Sequence, residues 1–194
     1  MNNFTTRQKE IIDVSIKIIA EKGIQQLTIK NISKSIGISE PAIYRHFDSK
    51  MDILLAILSL FRKNSHIILS KIISNKTSSI KQIESIFTNH FKQFTANPAS
   101  AAVIFSEEIF QNDKRLAEQV KLIMQLNQNM IIKIIKKGQQ KSEIRSDIPQ
   151  KQLSLIIMGA LRIIVAKWRL SKYSFDLEKE GAVLWISIKK VIAG

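Results

Sequence analysis

The stretch TIKNISKSIGISEPAIYRHFDSK, Thr28 to Lys50, leaves this chain little freedom in how it folds. Thr28 is a helix N-cap residue, and Ile29, Ile32 and Ile36 recur behind it at helical spacing. Gly37 can take the left-handed conformation that stops the helix. Ser39 then stands as a second cap. Pro41 falls in the first turn that follows, where its missing N–H loses no intrahelical partner. The spacing predicts a short helix over Ser39–Phe47, ended by Phe47 and Asp48, before Ser49 caps a longer one. Ile32, Ile36, Ile43 and Phe47 face inward as a small core. Two short helices around a glycine-centred turn make a helix-turn-helix pattern.

The rest of the chain repeats the helical period. Of 194 residues, 45% are hydrophobic, and only six glycines and three prolines interrupt them. That balance favours an all-α protein of about nine helices over strands and turns. Ile11 to Ile19 form a first stripe that Gly23 stops. Ile53 to Ile73 form a long helix, Asn75 to Ser79 a connection, and Ile80 to Phe94 a further helix. Asn97-Pro98 opens a shorter helix through Phe105 and Phe110. Asp113 caps a long helix ending near Gly138. Asp147-Ile148-Pro149 starts a penultimate helix to about Ser171, and Phe175 or Asp176 starts the last. The organisation expected is a three-helix domain over 1–48 and a larger helical domain over 49–194.

The penultimate helix is apolar on nearly all sides, yet its unbroken apolar run, Leu155 to Leu161, is far too short to span a bilayer. Such a helix is buried on more than one side. One side belongs to its own core and the other needs a partner. Gly159 and Ala160 would let that partner's backbone come close. The expected partner is a second copy, meeting Leu153, Ile156, Gly159, Ala160, Ile163, Leu184, Trp185 and Ile188. No membrane association is expected. The first ten residues have no apolar core region, so no secretory signal is expected either and the protein reads as cytoplasmic.

Charge and residue type together suggest a chemistry for the short helices. Thirty basic residues against 16 acidic give +14, spread along the chain as +3 over 1–50, +6 over 51–140 and +5 over 141–194. An excess so spread does not by itself identify a ligand. The local arrangement says more. A helix start offers free N–H groups to phosphate. Tyr44, Arg45 and His46 bring donors just beyond it, and Lys50 opens the next helix. Glu40, Pro41 and Ala42 stand nearest to base edges if the helix enters a major groove: Glu40 can accept from a cytosine amino group, and Pro41 and Ala42 can touch thymine methyls. Glu40 is equally read as a partner of the helix dipole.

With Thr28, Ile32, Gly37, Ser39, Tyr44, Phe47 and Lys50 in this spacing, the segment resembles the DNA-binding segment of TetR-family transcriptional regulators. The matching segment, Thr28 to Lys50, covers about an eighth of the chain. The resemblance implies that Thr28, Tyr44, His46 and Lys50 hold phosphates of double-stranded DNA. It implies that Lys30, Glu40, Pro41, Ala42 and Arg45 face bases, with Ser39 at the start of the reading helix. Ala42 stands where the family often has Thr, and Arg45 where it often has a neutral or aromatic residue. The expected target is a near-palindromic operator bound by a homodimer that most often represses.

The resemblance also implies a pocket for a small-molecule effector in the larger domain. The lining expected here is Phe61, Phe87, His90, Phe91, Phe94, Phe105, Met124 and Asn127, an apolar set with a few polar groups, suited to an apolar effector. Plain core packing is the competing reading for each aromatic. Glu107 and Glu108 are a further candidate, as a counter-ion for a cationic effector. The alternative function is an architectural or cell-division DNA-binding protein governed by a protein partner, with a filled core in place of the pocket. No enzyme is expected. The three histidines lack metal-ligand spacing, so no metal or other cofactor is foreseen, and there is no Gly-rich phosphate loop, nucleophile elbow or cysteine.

Overall fold

Thr5 starts the first helix with a reciprocal cap: its hydroxyl accepts the Gln8 N–H while the Gln8 side chain accepts the Thr5 N–H. The computed structural model describes residues 4–98, 101, 104–105 and 113–194, and among these it contains eight α-helices. Their only strand-like feature is an isolated bridge between Ile144 and Ala193. Helix α1 (Thr6–Lys22) buries Ile11, Ile12, Ile18 and Ile19 and stops at Gly23, whose φ of 82° is the region that favours glycine. A single 3-10 turn, Ile24–Gln26, leads to α2 (Ile29–Ile36), and α3 is Glu40–Tyr44. Helices α4 (Lys50–Ser74), α5 (Ser79–Ala96), α6 (Lys114–Gln140), α7 (Gln150–Leu170) and α8 (Leu177–Ile192) complete the set.

Most of these boundaries follow from caps. Thr28 accepts the Asn31 N–H at the start of α2, and Asp113 accepts those of Arg115 and Leu116 at the start of α6. Asp176 does the same for Glu178 and Lys179 at the start of α8. These match the expected starts. Helix α3 differs from expectation at both ends. It runs five residues and stops at Tyr44, not Phe47. Ser39 occupies the cap position with an extended backbone but makes no side-chain capping bond, so Pro41 and the burial of Ile43 hold the helix start instead. Phe47 is buried from a turn in which both it and His46 donate to the Ile43 carbonyl. The helix expected from Asn97-Pro98 to Phe110 lies largely outside the described residues, as do Glu107 and Glu108.

The chain forms two compact units, Met1–Arg62 with Pro98–Lys121, and Lys63–Asn97 with Leu122–Gly194. Helices α4 and α6 each contribute residues to both. In the first unit α1 packs on α2 and on the 3-10 turn, α2 packs on α3, and Ile32, Ile43, Ile53 and Ile57 are fully buried. By length and composition α4 alone, among the described helices, could cross a membrane. Ile53, Leu54, Ile57, Leu58, Leu69 and Ile72 of this helix are buried within the protein.

In the second unit α5 lies along α8, and α7 touches both. The α5–α8 seam is close because Gly181 of α8 sits directly against the Phe91 ring of α5. Phe91 meets Phe87 edge-on at 5.9 Å, and Phe87 lies 5.3 Å from Trp185, whose indole N–H donates to Glu84 at 2.9 Å. A similar approach occurs at Gly138 of α6, over Ile144 and Ser79. The backbone N–H of Ser79 donates to Glu143 Oε2 at 2.5 Å, tying the start of α5 to the loop after α6.

Candidate nucleic-acid interface and effector region

The end of α2 sets the angle of α3. Gly37 has φ 80° and ψ 32°, and both its N–H and that of Ile38 donate to the Ser33 carbonyl, a left-handed C-terminal cap. The chain reverses there and α3 begins three residues after Gly37, at Glu40. Ile43 is fully buried beneath this short helix, which leaves Glu40, Pro41 and Tyr44 outward.

The predicted interface residues gather around α3. Ser39, Glu40, Pro41 and Arg45 are exposed, Tyr44 is 49% exposed, and Ala42 is half-buried. Lys50 is the first residue of α4 and is half-buried. Thr28 is exposed at the start of α2; its oxygen serves the cap as an acceptor, which leaves the O–H proton available to donate. Lys30 is exposed on α2. Among the described residues no carboxylate pairs with Lys30, Arg45 or Lys50, so these cations are uncompensated. His46 is half-buried, and its carbonyl accepts from the Gln8 side chain of α1 at 3.2 Å. That contact spans 38 residues and has no signature in local periodicity.

The predicted effector set is dispersed. Phe61 and Phe105 belong to the first unit and are half-buried; the other six residues belong to the second. Phe87 and Phe91 are core residues at the α5–α8 seam, 1% and 2% exposed. Phe94 is buried, Asn127 donates to Ser65 Oγ at 3.5 Å, and Met124 faces solvent at 47% exposure. A shallow, open depression of about 720 Å³ bordered by Trp168, Tyr173, Phe175 and Leu177 includes none of the eight.

His90 is the chemically distinctive member. Its ring stands edge-on to Phe94 at 4.8 Å and to Phe91 at 5.8 Å. The residue as a whole is half-buried, but Nε2 is enclosed and has no hydrogen-bond partner among the described residues. Burial pushes the imidazole down from 6.5 to about 4, because charging it would strip water from a cation among aromatic rings. In the unfolded chain the same group gains its proton near 6.5, so the stability it confers is complete above that pH and is lost as pH falls toward 4. Between pH 7 and pH 5 the His90 contribution is expected to cost about 2 kcal/mol of stability, at about 1.4 kcal/mol per pH unit below 6.5. His90→Phe is expected to abolish that loss, as urea melts at the two pH values will show.

Two faces divide α7. Leu153, Ser154, Ile157, Leu161, Val165 and Trp168 are buried. On the opposite side Leu155, Ile156, Ile163 and Leu170 are 49%, 40%, 60% and 78% exposed, with the open Gly159 among them. Helix α8 likewise exposes Val183 and Ile186 at 60% and 57%. Of the residues expected at a subunit contact, Ile156, Gly159 and Ile163 lie on this outer stripe. Ala160 and Leu184 are half-buried beside it. Leu153, Trp185 and Ile188 instead pack inside the second unit, since they share a helical face with Ile157 on α7 or Gly181 on α8. Leu155, Leu170, Val183 and Ile186 were not singled out by the sequence pattern, although each lies on the outer helical face.

Comparison with known proteins places these features in a family. Residues 11–57 match the model of bacterial regulatory proteins of the tetR family, and residues 62–188 match that of the YsiA-like protein C-terminal region. The chain is 25% identical over 171 residues to the fatty acid metabolism regulator protein of Bacillus subtilis strain 168, covering 87% of this chain and 86% of the relative. Its fold is that of the fatty acid degradation regulator FadR of Bacillus halodurans, with a TM-score of 0.84, 22% identity and 97% of both chains covered. The FadR transcriptional regulator of Bacillus subtilis, solved in complex with stearoyl-CoA, superposes with a TM-score of 0.79 at 23% identity over 93% of this chain and 96% of that one. With both of its parts matched and its short helices closed by the expected caps, the chain belongs to the TetR family of DNA-binding transcriptional regulators.

Proposed function

We propose that this regulator is a cytoplasmic homodimeric repressor that binds a near-palindromic operator and is released by an effector carrying a long acyl chain. The observation that carries the DNA-binding part is the set gathered around α3: exposed Tyr44 and Arg45 and half-buried Lys50, with Thr28 at the start of α2 and Lys30 on it, its three cations unpaired among the described residues. Thr28, Tyr44, His46 and Lys50 hold phosphates, which fixes register without reading sequence. Lys30, Glu40, Pro41, Ala42 and Arg45 face base edges, with Ser39 at the helix start. Residues 1–48 bind DNA, and residues 49–194 carry effector binding and dimerisation. The outer stripe of α7 and α8 meets its copy, and two α3 helices enter successive major grooves about one helical turn apart.

The acyl reading of the effector rests on the names of the relatives and on the α5 wall of His90 and Phe94. A neutral imidazole edge among aromatic rings suits an uncharged polar group at the end of an apolar chain. Within the second unit Met124 and Asn127 complete the proposed contacts, while Phe87 and Phe91 back the wall from the core. Release follows if the effector binds better to a form whose two heads no longer match the grooves.

Selection of bound duplexes from random DNA, followed by titration with stearoyl-CoA, tests the whole reading. A selected site without two related halves, or one held equally tightly with and without the acyl-CoA, would sink it. Lys50→Ala is expected to weaken binding to every duplex and to flatten the plot of log affinity against log salt by about one per subunit, the signature of one lost phosphate contact. An unchanged slope would remove Lys50 from the interface.

A further inference from the structure

We infer that Gln8 is a positioning residue for DNA reading, holding the turn after the recognition helix through its side-chain amide. The inference rests on the proposal that α3 is the reading element. Helix α3 is five residues long, too short to persist by its own hydrogen bonds, and it has no side-chain cap at Ser39. Pro41 and the buried Ile43 fix its beginning. Its far end passes through Arg45 into the turn before Lys50, where the His46 and Phe47 N–H groups both donate to the Ile43 carbonyl. The His46 carbonyl in that turn receives the Gln8 Nε2–H at 3.2 Å.

Gln8 can hold that carbonyl because its other side-chain atom is fixed. Its Oε1 accepts the Thr5 N–H at 3.0 Å in the capping box, which orients the amide plane and aims Nε2 away from α1. One side chain therefore closes the first turn of α1 and steadies the segment that presents Tyr44, Arg45 and Lys50. A shift of that segment would leave phosphate attraction largely intact, because long cationic side chains follow the backbone of DNA. Base-edge contacts need fixed geometry and would suffer first.

The two roles of Gln8 can be separated. Gln8→Glu keeps an oxygen to accept the Thr5 N–H but has no N–H for His46. Thr5→Ala removes the hydroxyl half of the cap and leaves the amide in place. The duplex selected from random DNA and a scrambled duplex of equal length serve as probes, with melting temperature measured alongside. Gln8→Glu is expected to hold its melting temperature within about 2 °C and to lose about fivefold or more in the ratio of selected to scrambled affinity. The added carboxylate repels both duplexes alike, so it cancels in the ratio. Thr5→Ala is expected to melt about 2–4 °C lower with the ratio unchanged. An unchanged ratio in Gln8→Glu, or a lowered ratio in both variants alike, overturns the inference. If the wild-type protein itself fails to distinguish the duplexes, the assignment of α3 as the reading element falls instead.

Discussion

Gly181→Ala is expected to destabilise the second unit by about 3 kcal/mol, a sign opposite to the usual effect of removing a helix glycine. In an exposed helix the exchange stabilises by about 1 kcal/mol, since alanine loses less backbone freedom on folding. At Gly181 a methyl group would fall within the van der Waals envelope of the Phe91 ring, overlapping Cδ2 and Cε2 and lying 2.9 Å from Cγ. The ring has nowhere to retreat. Phe91 is 2% exposed, with Phe87 edge-on to it and His90 beside it. The helices must part or the ring must leave its rotamer, and close-packed interiors resist both. For a chain of this size the melting temperature should fall by about 6–12 °C. A calorimetric scan reads it, and a rise in melting temperature would mean that the α5–α8 seam is looser than described.

Ile163→Asp is expected to leave the fold intact and to lower operator affinity a hundredfold or more. Ile163 is 60% exposed within one subunit, so a charge there costs the isolated chain little. If the outer stripe meets a second copy, the same carboxylate becomes an unpaired charge in an apolar contact on both sides of the twofold axis. The dimer then dissociates and each head binds a half-site alone. Joining two binding modules raises affinity by about 10² to 10⁴ over one, and that factor is what the variant forfeits. Light scattering after size exclusion gives the mass, circular dichroism checks helix content, and a duplex titration gives the affinity. A variant that remains dimeric would move the subunit contact to another surface.

The sequence was most readable where single residues control the backbone. Thr28, Gly37, Pro41, Asp113 and Asp176 each mark a helix end, because a side-chain acceptor, a positive φ or a missing N–H has only a few places to go. The end of α3 was harder. Phe47 is buried, but from a turn, and burial alone does not distinguish a turn from another half-turn of helix. On α7 the period was silent for a different reason. Both faces are apolar, so the pattern could not say that Leu153 points into its own unit and Ile163 out of it. Only the positions of α5 and α8 decide that. The Gln8–His46 bond was invisible because a polar pair 38 residues apart imposes no rhythm on the chain between.

Trp185, buried at the α5–α8 seam with its N–H on Glu84 and Phe87 beside it, has an optical consequence. The chain has two tryptophans, and the other, Trp168, also lies in the second unit; of the two tyrosines, Tyr44 is in the first. Indole emission is therefore native to one unit alone. Light absorbed selectively by indole interrogates the α5–α8 seam and the end of α7 and is blind to α1, α2 and α3, so the second unit can be watched in the presence of the first without a label.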